Sequence, residues 1–149
     1  MKNKKEIIAG IIIIGNEVLS GRTKDINTST IALWLNSLGI HVKQVRVIPD
    51  DEKVIIDNLN EFRTKYNYVF TTGGIGPTHD DITAESISKA FNLEYGFHKE
   101  AFQILEKYYK PGEFTEGRQK MAKMPTIAKL ILNPSSGAPG FYVENVFCL

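Results

Sequence analysis

This 149-residue sequence has little cysteine, a small net charge and no long apolar run. The single cysteine, Cys148, excludes an intrachain disulfide, and no CxxC motif or Cys/His cluster indicates a zinc site. Eighteen basic residues against seventeen acidic ones leave a net charge of +1. This balance gives no electrostatic reason to expect nucleic acid or a membrane surface as the main partner. We therefore expect no nucleic-acid partner, no membrane partner, and a reducing, cytoplasmic setting.

One short apolar run, Ile7–Ile14, follows the basic residues 1–5 and so resembles a secretory signal. However, Gly15-Asn16-Glu17 stands where a small-residue cleavage site should be. A continuous isoleucine run bounded by glycine is also typical of a strand buried on both faces. The sequence favours the strand, and the run is far below the roughly 20 residues of a transmembrane helix.

Strands and helices then alternate along the chain. Further strands are predicted at 41–48 and Tyr68–Thr72, and helices at 26–38, Glu52–Lys65 and 80–91. In the first helix, apolar residues stand at helical spacing: Ile31, Trp34, Leu35 and Leu38. This order predicts an α/β fold, a three-layer α-β-α arrangement with a mostly parallel sheet.

The second half of the chain is less regular. Helices are predicted at 99–109 and 116–123, and strands at 130–132 and 141–149. The length and the lack of a linker predict one domain over residues 1–149. Its last residues still have a strand pattern, so we expect the domain to be truncated at its C-terminal end.

Three loops are expected to meet at one edge of the sheet, because ligands of open parallel sheets bind beyond the carboxyl ends of the strands. They are the first loop (residues 15–17), the second loop (residues 49–51) and the glycine-rich loop (residues 71–81). Polar and acidic side chains lie in all three. The sequence therefore predicts a ligand site at this edge.

The glycine-rich loop carries the strongest signal. Gly73, Gly74 and Gly76 let the backbone approach a ligand and present several N–H groups, and the following helix adds a positive end that favours phosphate. The alternative is a tight strand-to-helix turn in which Asp80 or Asp81 serves only as the N-cap. The loop lacks the Lys-[Ser/Thr] ending of a nucleotide P-loop and does not match GxGxxG, so neither ATP hydrolysis nor NAD binding follows.

The run Thr-Thr-Gly-Gly-Ile-Gly-Pro-Thr-His-Asp-Asp-Ile-Thr at 71–83 resembles the signature of the MoaB/Mog domain, in the version found at the N-terminal end of CinA-type (competence/damage-inducible) proteins. Segments 14–21, 25–28, 47–51, 118–122, 133–134 and 138–141 resemble other blocks of that family in the same order. The resemblance covers nearly the whole chain. It departs at 135–137, Ser-Ser-Gly where many relatives have Gly-Thr, and the family's Pro-Gly-Val-Pro loop would fall after Leu149.

The resemblance implies roles for individual residues. Asp81 and Asp50 are the expected catalytic carboxylates, and with Glu17 the expected ligands of a divalent metal such as Mg²⁺, Mn²⁺ or Co²⁺. Phosphate binding is expected from the glycine-rich loop and a later turn, at Thr72, Gly73, Gly74, Gly76, Pro77, Thr78, Asp80, Ser135 and Ser136. For many of these a structural role stays open: capping for Asp80 and Asp81, a turn after Pro49 for Asp50, a solvated carboxylate for Glu17 and turn formation for the serines.

The remaining polar and aromatic residues favour structural roles. Asn27 could contact a ligand, but the start of a helix is the favoured role, and His79 is expected to fill the loop without a catalytic partner. His41 and His98 have the pattern of ordinary strand and helix-start residues, and Trp34, Tyr108 and Tyr109 that of core or interface residues.

Family members bind molybdopterin, adenylylate it, or hydrolyse nucleotide diphosphates such as ADP-ribose with a metal. The CinA-like signature favours the last, a pyrophosphatase in which water attacks one phosphorus with metal assistance. A pterin or nucleotide carrier without turnover and a molybdopterin adenylyltransferase are the alternatives. The expected partners are therefore a small-molecule pterin or nucleotide and, on resemblance alone, further copies of this chain in a dimer or trimer.

Overall fold

The isoleucine run at the start of the chain forms the middle of a parallel sheet. The structure, a computed structural model, describes residues 4–149, so the first three residues of the signal-like segment lie outside it. The strands are β1 (Ile7–Ile14), β2 (Ile40–Ile48), β3 (Tyr68–Thr72), β4 (Tyr95–Phe97), β5 (Lys123–Pro125), β6 (Lys129–Ile131), β7 (Gly140–Val143) and β8 (Val146–Cys148). The helices are α1 (Asn16–Leu19), α2 (Asn27–Ser37), α3 (Glu52–Lys65), α4 (Thr83–Ala90), α5 (Lys99–Tyr108) and α6 (Glu116–Gln119), with a 3₁₀ turn at Lys120–Ala122.

The main sheet has six strands in the order β2-β1-β3-β8-β7-β6. The pairs β1–β2, β1–β3 and β3–β8 are parallel, whereas β7 runs antiparallel to both β8 and β6. Strands β4 and β5 form a separate antiparallel ribbon. The predicted α/β fold with a mostly parallel sheet is confirmed.

The two faces of the sheet are covered by different helices because successive side chains of β1 point in opposite directions. Ile12 and Ile14 belong to the core beneath α3, with Leu59 and Phe62. On the other face, Ile11 and Ile13 pack in a cluster that includes Ile31 of α2. The isoleucine run is thus a strand buried on both faces, as its composition predicts.

Several element boundaries match the prediction. Strand β1, helix α3 and strand β3 have the predicted limits, and β2 ends at Ile48, immediately before Pro49. In α2 the four apolar residues at helical spacing differ in burial. Ile31 and Leu35 are buried, but Trp34 and Leu38 are mostly exposed.

Two predictions about chain direction and helix start are wrong. The expected single strand over 141–149 is the hairpin β7–β8, turned at Glu144, whose φ of 50° lies in the left-handed region. Helix α4 begins at Thr83 rather than at Asp80, and its N-cap position is Ile82, without a side-chain cap. Neither Asp80 nor Asp81 is therefore the N-cap of this helix.

The hairpin places β8 between β3 and β7. Asn145 anchors the turn, because its side-chain amide donates to the carbonyl oxygens of Arg63 (3.0 Å) and Tyr66 (3.3 Å). Cys148 then lies fully buried against β3, and burial raises the pKa of its thiol to about 12. Across residues 4–149, no helix has the length and apolar character needed to cross a membrane.

Candidate functional site

The glycine-rich loop leaves β3 through two residues with left-handed backbone. Gly73 has φ 92° and Gly74 φ 71°. A Cβ atom on Gly73 would lie 2.0 Å from the carbonyl oxygen of Ile14, and one on Gly74 would lie 2.1 Å from Thr83 Oγ1. Both positions therefore require glycine, for conformation and for space.

Thr83, the first residue of α4, forms two hydrogen bonds with the start of this loop. Its buried hydroxyl donates to the carbonyl of Gly73 (2.9 Å), and its backbone N–H donates to the carbonyl of Gly74 (3.0 Å). Because the carbonyl oxygens of Gly73 and Gly74 accept these hydrogen bonds, a ligand at this end of the loop would meet backbone N–H groups instead. Within residues 4–149, no protein acceptor takes the backbone N–H of Gly74, Ile75 or Gly76. Such a row of free N–H groups is the property that binds phosphate oxygens.

The first and second loops are joined to each other at the same edge. The backbone N–H of Asn16 donates to Asp50 Oδ2 (3.0 Å), and the backbone N–H of Asp50 donates to Asn16 Oδ1 (3.2 Å). The other oxygen, Oδ1 of Asp50, would lie 3.6 Å from a Cβ on Gly74. Asp51 has a separate structural task, because its side chain accepts from the N–H of Val54 and caps α3. The predicted meeting of the three loops is thus seen in the contacts of Asp50.

The predicted carboxylates divide between two cavities. Glu17, Asp50 and Asp80 line one open cleft of about 310 Å³. Asp81 lines a smaller cavity of about 20 Å³ with Gly74 and Gly76. Its Oδ2 accepts from both the N–H (2.9 Å) and the hydroxyl (2.8 Å) of Thr78. In this structure Asp81 therefore organises the loop itself, and Glu17, Asp50 and Asp80 are the carboxylates that line the same cleft.

Divalent cations prefer oxygen ligands, and the shared cleft offers them. Asp50 keeps Oδ1 without a hydrogen bond, and the Glu17 carboxylate has no hydrogen bond or ion pair with residues 4–149. One or two carboxylates, together with phosphate oxygens and water, are the usual ligands of a protein-bound Mg²⁺. In the described part of the chain, no group of three or more His, Cys, Asp or Glu side chains is arranged to hold a metal ion. Metal binding by Glu17, Asp50 and Asp81 stays a prediction.

Sequence reasoning gave Lys120 no role, although it contacts the glycine-rich loop. Its ammonium donates to the carbonyl of Asp81 (2.8 Å) and to the carbonyl of Thr78. Lys120 lies in the 3₁₀ turn after α6, about 40 positions further along the chain. No local pattern could have linked the two segments, since only the tertiary fold brings them together.

The later turn is built from its own side chains. Asn133 Nδ2 donates to Ser136 Oγ (2.7 Å), and the N–H of Ser135 donates to Asn133 Oδ1 (3.1 Å). Ala138 and Pro139, just after it, line the small cavity beside Gly74. Phosphate binding by Ser135 and Ser136 stays a prediction.

Two other predicted structural residues keep to their expected places. Asn27 begins α2, and its N–H donates to Asp25 Oδ1 (3.0 Å). His79 is almost fully exposed in the glycine-rich loop, with Nε2 3.3 Å from Asp80 Oδ1. Neither side chain is held against the loop's free N–H groups by a hydrogen bond.

Comparison with known proteins gives a consistent result. The family model described as a probable molybdopterin binding domain matches residues 10–149. Proteins of Caldivirga maquilingensis and Sulfolobus acidocaldarius are each 41% identical over 138 residues, 91% of this chain. The alignments cover 54% and 52% of those proteins, so the chain spans about half the length of the curated relatives it matches.

Two solved structures extend the comparison to the fold. The CinA protein of unknown function from Thermoplasma acidophilum superposes with a TM-score of 0.88 and 32% identity, covering 97% of this chain and 89% of that one. The tungsten cofactor synthesizing protein MoaB from Pyrococcus furiosus gives a TM-score of 0.59 and 26% identity, covering 98% and 82%.

Proposed function

This chain belongs to the MoaB/Mog-like family of probable molybdopterin-binding domains, and from that membership we propose that it binds a pyrophosphate-containing ligand on the glycine-rich loop. The observation that carries the proposal is the row of free N–H groups at Gly74, Ile75 and Gly76 beside the Asp50 carboxylate. Oriented N–H groups stabilise phosphate charge, and the nearby carboxylates supply cation ligands.

The reaction we propose is metal-dependent hydrolysis of a nucleotide diphosphate such as ADP-ribose. Water adds to one phosphorus, the bridging P–O bond breaks, and AMP and ribose 5-phosphate leave. The N–H groups of the glycine-rich loop would stabilise the charge that develops on the phosphate oxygens. Glu17 and Asp50 would hold the divalent cation, which neutralises charge on the ligand.

A second candidate, a pterin or nucleotide carrier without turnover, is favoured by one observation. The Asp81 carboxylate accepts two hydrogen bonds from Thr78 inside its own loop, an arrangement suited to shaping a binding loop. Molybdopterin adenylyltransferase activity is the third candidate, suggested by the MoaB likeness of the fold.

The deciding experiment follows product formation by ³¹P NMR. ADP-ribose is incubated with the protein and Mg²⁺, Mn²⁺ or Co²⁺, and with the variants Glu17→Gln, Asp50→Asn and Asp81→Asn. The control is Asp57→Asn, since Asp57 is an exposed carboxylate on α3 paired with Lys53. Metal-dependent AMP release that Asp50→Asn abolishes and Asp57→Asn leaves intact supports hydrolysis.

Two other results would redirect the assignment. Absence of turnover together with thermal stabilisation by ADP or a pterin indicates the carrier. Transfer of AMP from ATP to molybdopterin indicates the adenylyltransferase.

Two further proposals concern the cellular location of the domain and its oligomeric state. We propose that the domain works in the cytoplasm, where nucleotides and pterins are available. We also propose that it assembles as a dimer or trimer, a state favoured by Leu33 and Trp34 of α2, which are 72% and 57% exposed. Light scattering on the wild type and on Trp34→Glu measures the molar mass that tests the assembly.

A further inference from the structure

A larger cleft, of about 740 Å³, borders the glycine-rich loop at Pro77 and His79. Its other walls come from the start of α4, from the ribbon β4–β5 and from α6 with the 3₁₀ turn that follows it. A ligand whose phosphates lie on the glycine-rich loop would have this space for the rest of its structure. The chemistry of the cleft walls then indicates what that remainder is.

Phe97 presents an aromatic ring to this cleft. It is 49% exposed although it is large and apolar. The ring is supported by Phe102, in an edge-to-face contact with centroids 5.5 Å apart. The ribbon pairs Phe97 with Lys123, whose ammonium lies 5.0 Å from the ring centroid. An exposed ring held in place in this way is a stacking surface for a planar base.

Two lysine side chains lie between the Phe97 ring and the glycine-rich loop. Lys120 and Lys123 line both this cleft and the small cavity beside Gly74, Gly76 and Asp81. Lys123 forms no ion pair with a carboxylate among residues 4–149. Its ammonium contacts one face of the Phe97 ring, so a phosphate that passes from the loop toward Phe97 would be its anionic partner.

A carboxylate completes the wall. Glu116, in the first turn of α6, has no hydrogen bond or ion pair through its side chain within the described residues. The other carboxylate of the cleft, Glu85, is 3.8 Å from Lys89. Glu116 lines the same cleft as Phe97, and a carboxylate is the group that accepts a hydrogen bond from a ribose hydroxyl in dinucleotide sites.

We propose that this cleft is a nucleoside subsite, in which the base stacks on Phe97, a ribose hydroxyl donates to Glu116, and Lys123 pairs with the adjoining phosphate. The inference rests on the proposed function. It assigns Phe97, Glu116 and Lys123 as the residues that make the site prefer a nucleoside diphosphate derivative to inorganic pyrophosphate, which would use the loop alone.

Calorimetric titration with ADP and with inorganic pyrophosphate, both in Mg²⁺, tests the subsite. Phe97→Leu keeps an apolar side chain against Phe102 but removes the ring, and Phe97→Tyr keeps the ring. The expected loss of ADP affinity in Phe97→Leu is about tenfold, with affinity retained in Phe97→Tyr. Pyrophosphate affinity is expected to be the same in all three proteins.

A second pair of ligands tests Glu116. Glu116→Gln is expected to weaken ADP several-fold and to leave 2′,3′-dideoxy-ADP unchanged, because that ligand lacks the hydroxyls. An independent readout is the ¹H NMR spectrum of bound ADP. Stacking on Phe97 shifts the adenine H2 and H8 resonances upfield, and the shift disappears in Phe97→Leu.

The contradicting results are distinct. Equal ADP affinity in wild type and Phe97→Leu overturns the subsite and leaves phosphate binding by the loop intact. Parallel loss of ADP and pyrophosphate in Phe97→Leu also overturns it, since the residue would then act through the loop. Failure of the wild type to bind either ligand overturns the proposed function, and the subsite with it.

Discussion

Asn16 and Asp50 exchange two hydrogen bonds, each donating its backbone N–H to the side chain of the other, at 3.0 and 3.2 Å. The two residues are 34 positions apart, one after β1 and one after β2. The pair therefore fixes the spacing of the first two loops and orients one carboxylate oxygen of Asp50. It leaves the other oxygen toward Gly74, where the third loop passes.

We predict that Asn16→Ala lowers the free energy of unfolding by about 1 kcal/mol, the net value of one such hydrogen bond. It should also weaken Mg²⁺-dependent ADP binding, because the backbone N–H of Asp50 loses its acceptor, Asn16 Oδ1, and the second loop is held less firmly against the first. The backbone N–H of residue 16 still donates to Asp50 Oδ2 in this variant, so the expected loss is partial. Denaturant titration and calorimetry measure the two effects. The control is Asn60→Ala on α3, which removes the one hydrogen bond that Arg63 Nε donates to Asn60 Oδ1 (3.0 Å). Equal ADP affinity in both variants would contradict a role for the pair in the site.

Gly73 and Gly112 share a left-handed backbone, with φ of 92° and 83°, but differ in surrounding space. A Cβ on Gly112 meets nothing within 4 Å, whereas one on Gly73 meets the Ile14 carbonyl. We expect Gly112→Ala to cost about 1 kcal/mol, the conformational penalty alone. Gly73→Ala should cost at least about 3 kcal/mol, because backbone must also move. The denaturation midpoints compare them, and equal losses would show that the close approach to Ile14 is not rigid.

Lys120 is expected to act as a clamp on the glycine-rich loop. In Lys120→Met the carbonyls of Thr78 and Asp81 lose their charged donor, so the loop should open more often. Amide hydrogen exchange at Thr78 and Asp81, whose N–H groups bond within the loop, should accelerate about tenfold or more. Lys53→Met, which removes an exposed pair with Asp57, is the control. Unchanged exchange in Lys120→Met would show that Lys120 does not stabilise the closed conformation of the loop.

Cys148 should be unreactive in the folded protein. Burial raises the pKa of its thiol to about 12, and thiolate is the reactive form. A thiol reagent at pH 8 is expected to label the native protein only at the rate of unfolding, and to label the denatured protein immediately. Because the raised pKa favours the protonated native state, this contribution to stability is complete below the ordinary thiol pKa and is lost as pH rises toward 12. Rapid native labelling at pH 8 would contradict the burial of β8.

The sequence predicted the first half of the fold well because its signals are local. The isoleucine run, the apolar face of α3 and the stop at Pro49 each follow from neighbouring residues. The hairpin at Glu144 was missed because the apolar residues on both sides of its turn form one continuous strand-like run. Trp34, expected in the core or at an interface, is mostly exposed. Helical spacing could not decide between the two, because it identifies a face without saying what covers it.

The sequence predicted which loops form the site, but not the side-chain contacts that other elements make with them. Glycines and carboxylates that follow predicted strands can be assigned to one sheet edge from topology alone. The contacts of Lys120, Phe97 and Lys123 depend on how the ribbon and α6 fold back over the loop, which no spacing encodes. The division of Asp50 and Asp81 between two cavities likewise depends on side-chain partners.

The position of β8 has a consequence for synthesis. Residues 146–148 pair with β3, and β3 pairs with β1, so the centre of the sheet is completed by a segment that is translated well after β1, β2 and β3. A nascent chain that has exposed β1, β2 and β3 still presents the edge of β3, with Phe70 and Thr71 unpaired, to other chains. Residue 148 must therefore emerge from the ribosome before β8 can pair with β3 and protect that edge. Slow translation of the second half would prolong the interval in which nascent chains can aggregate.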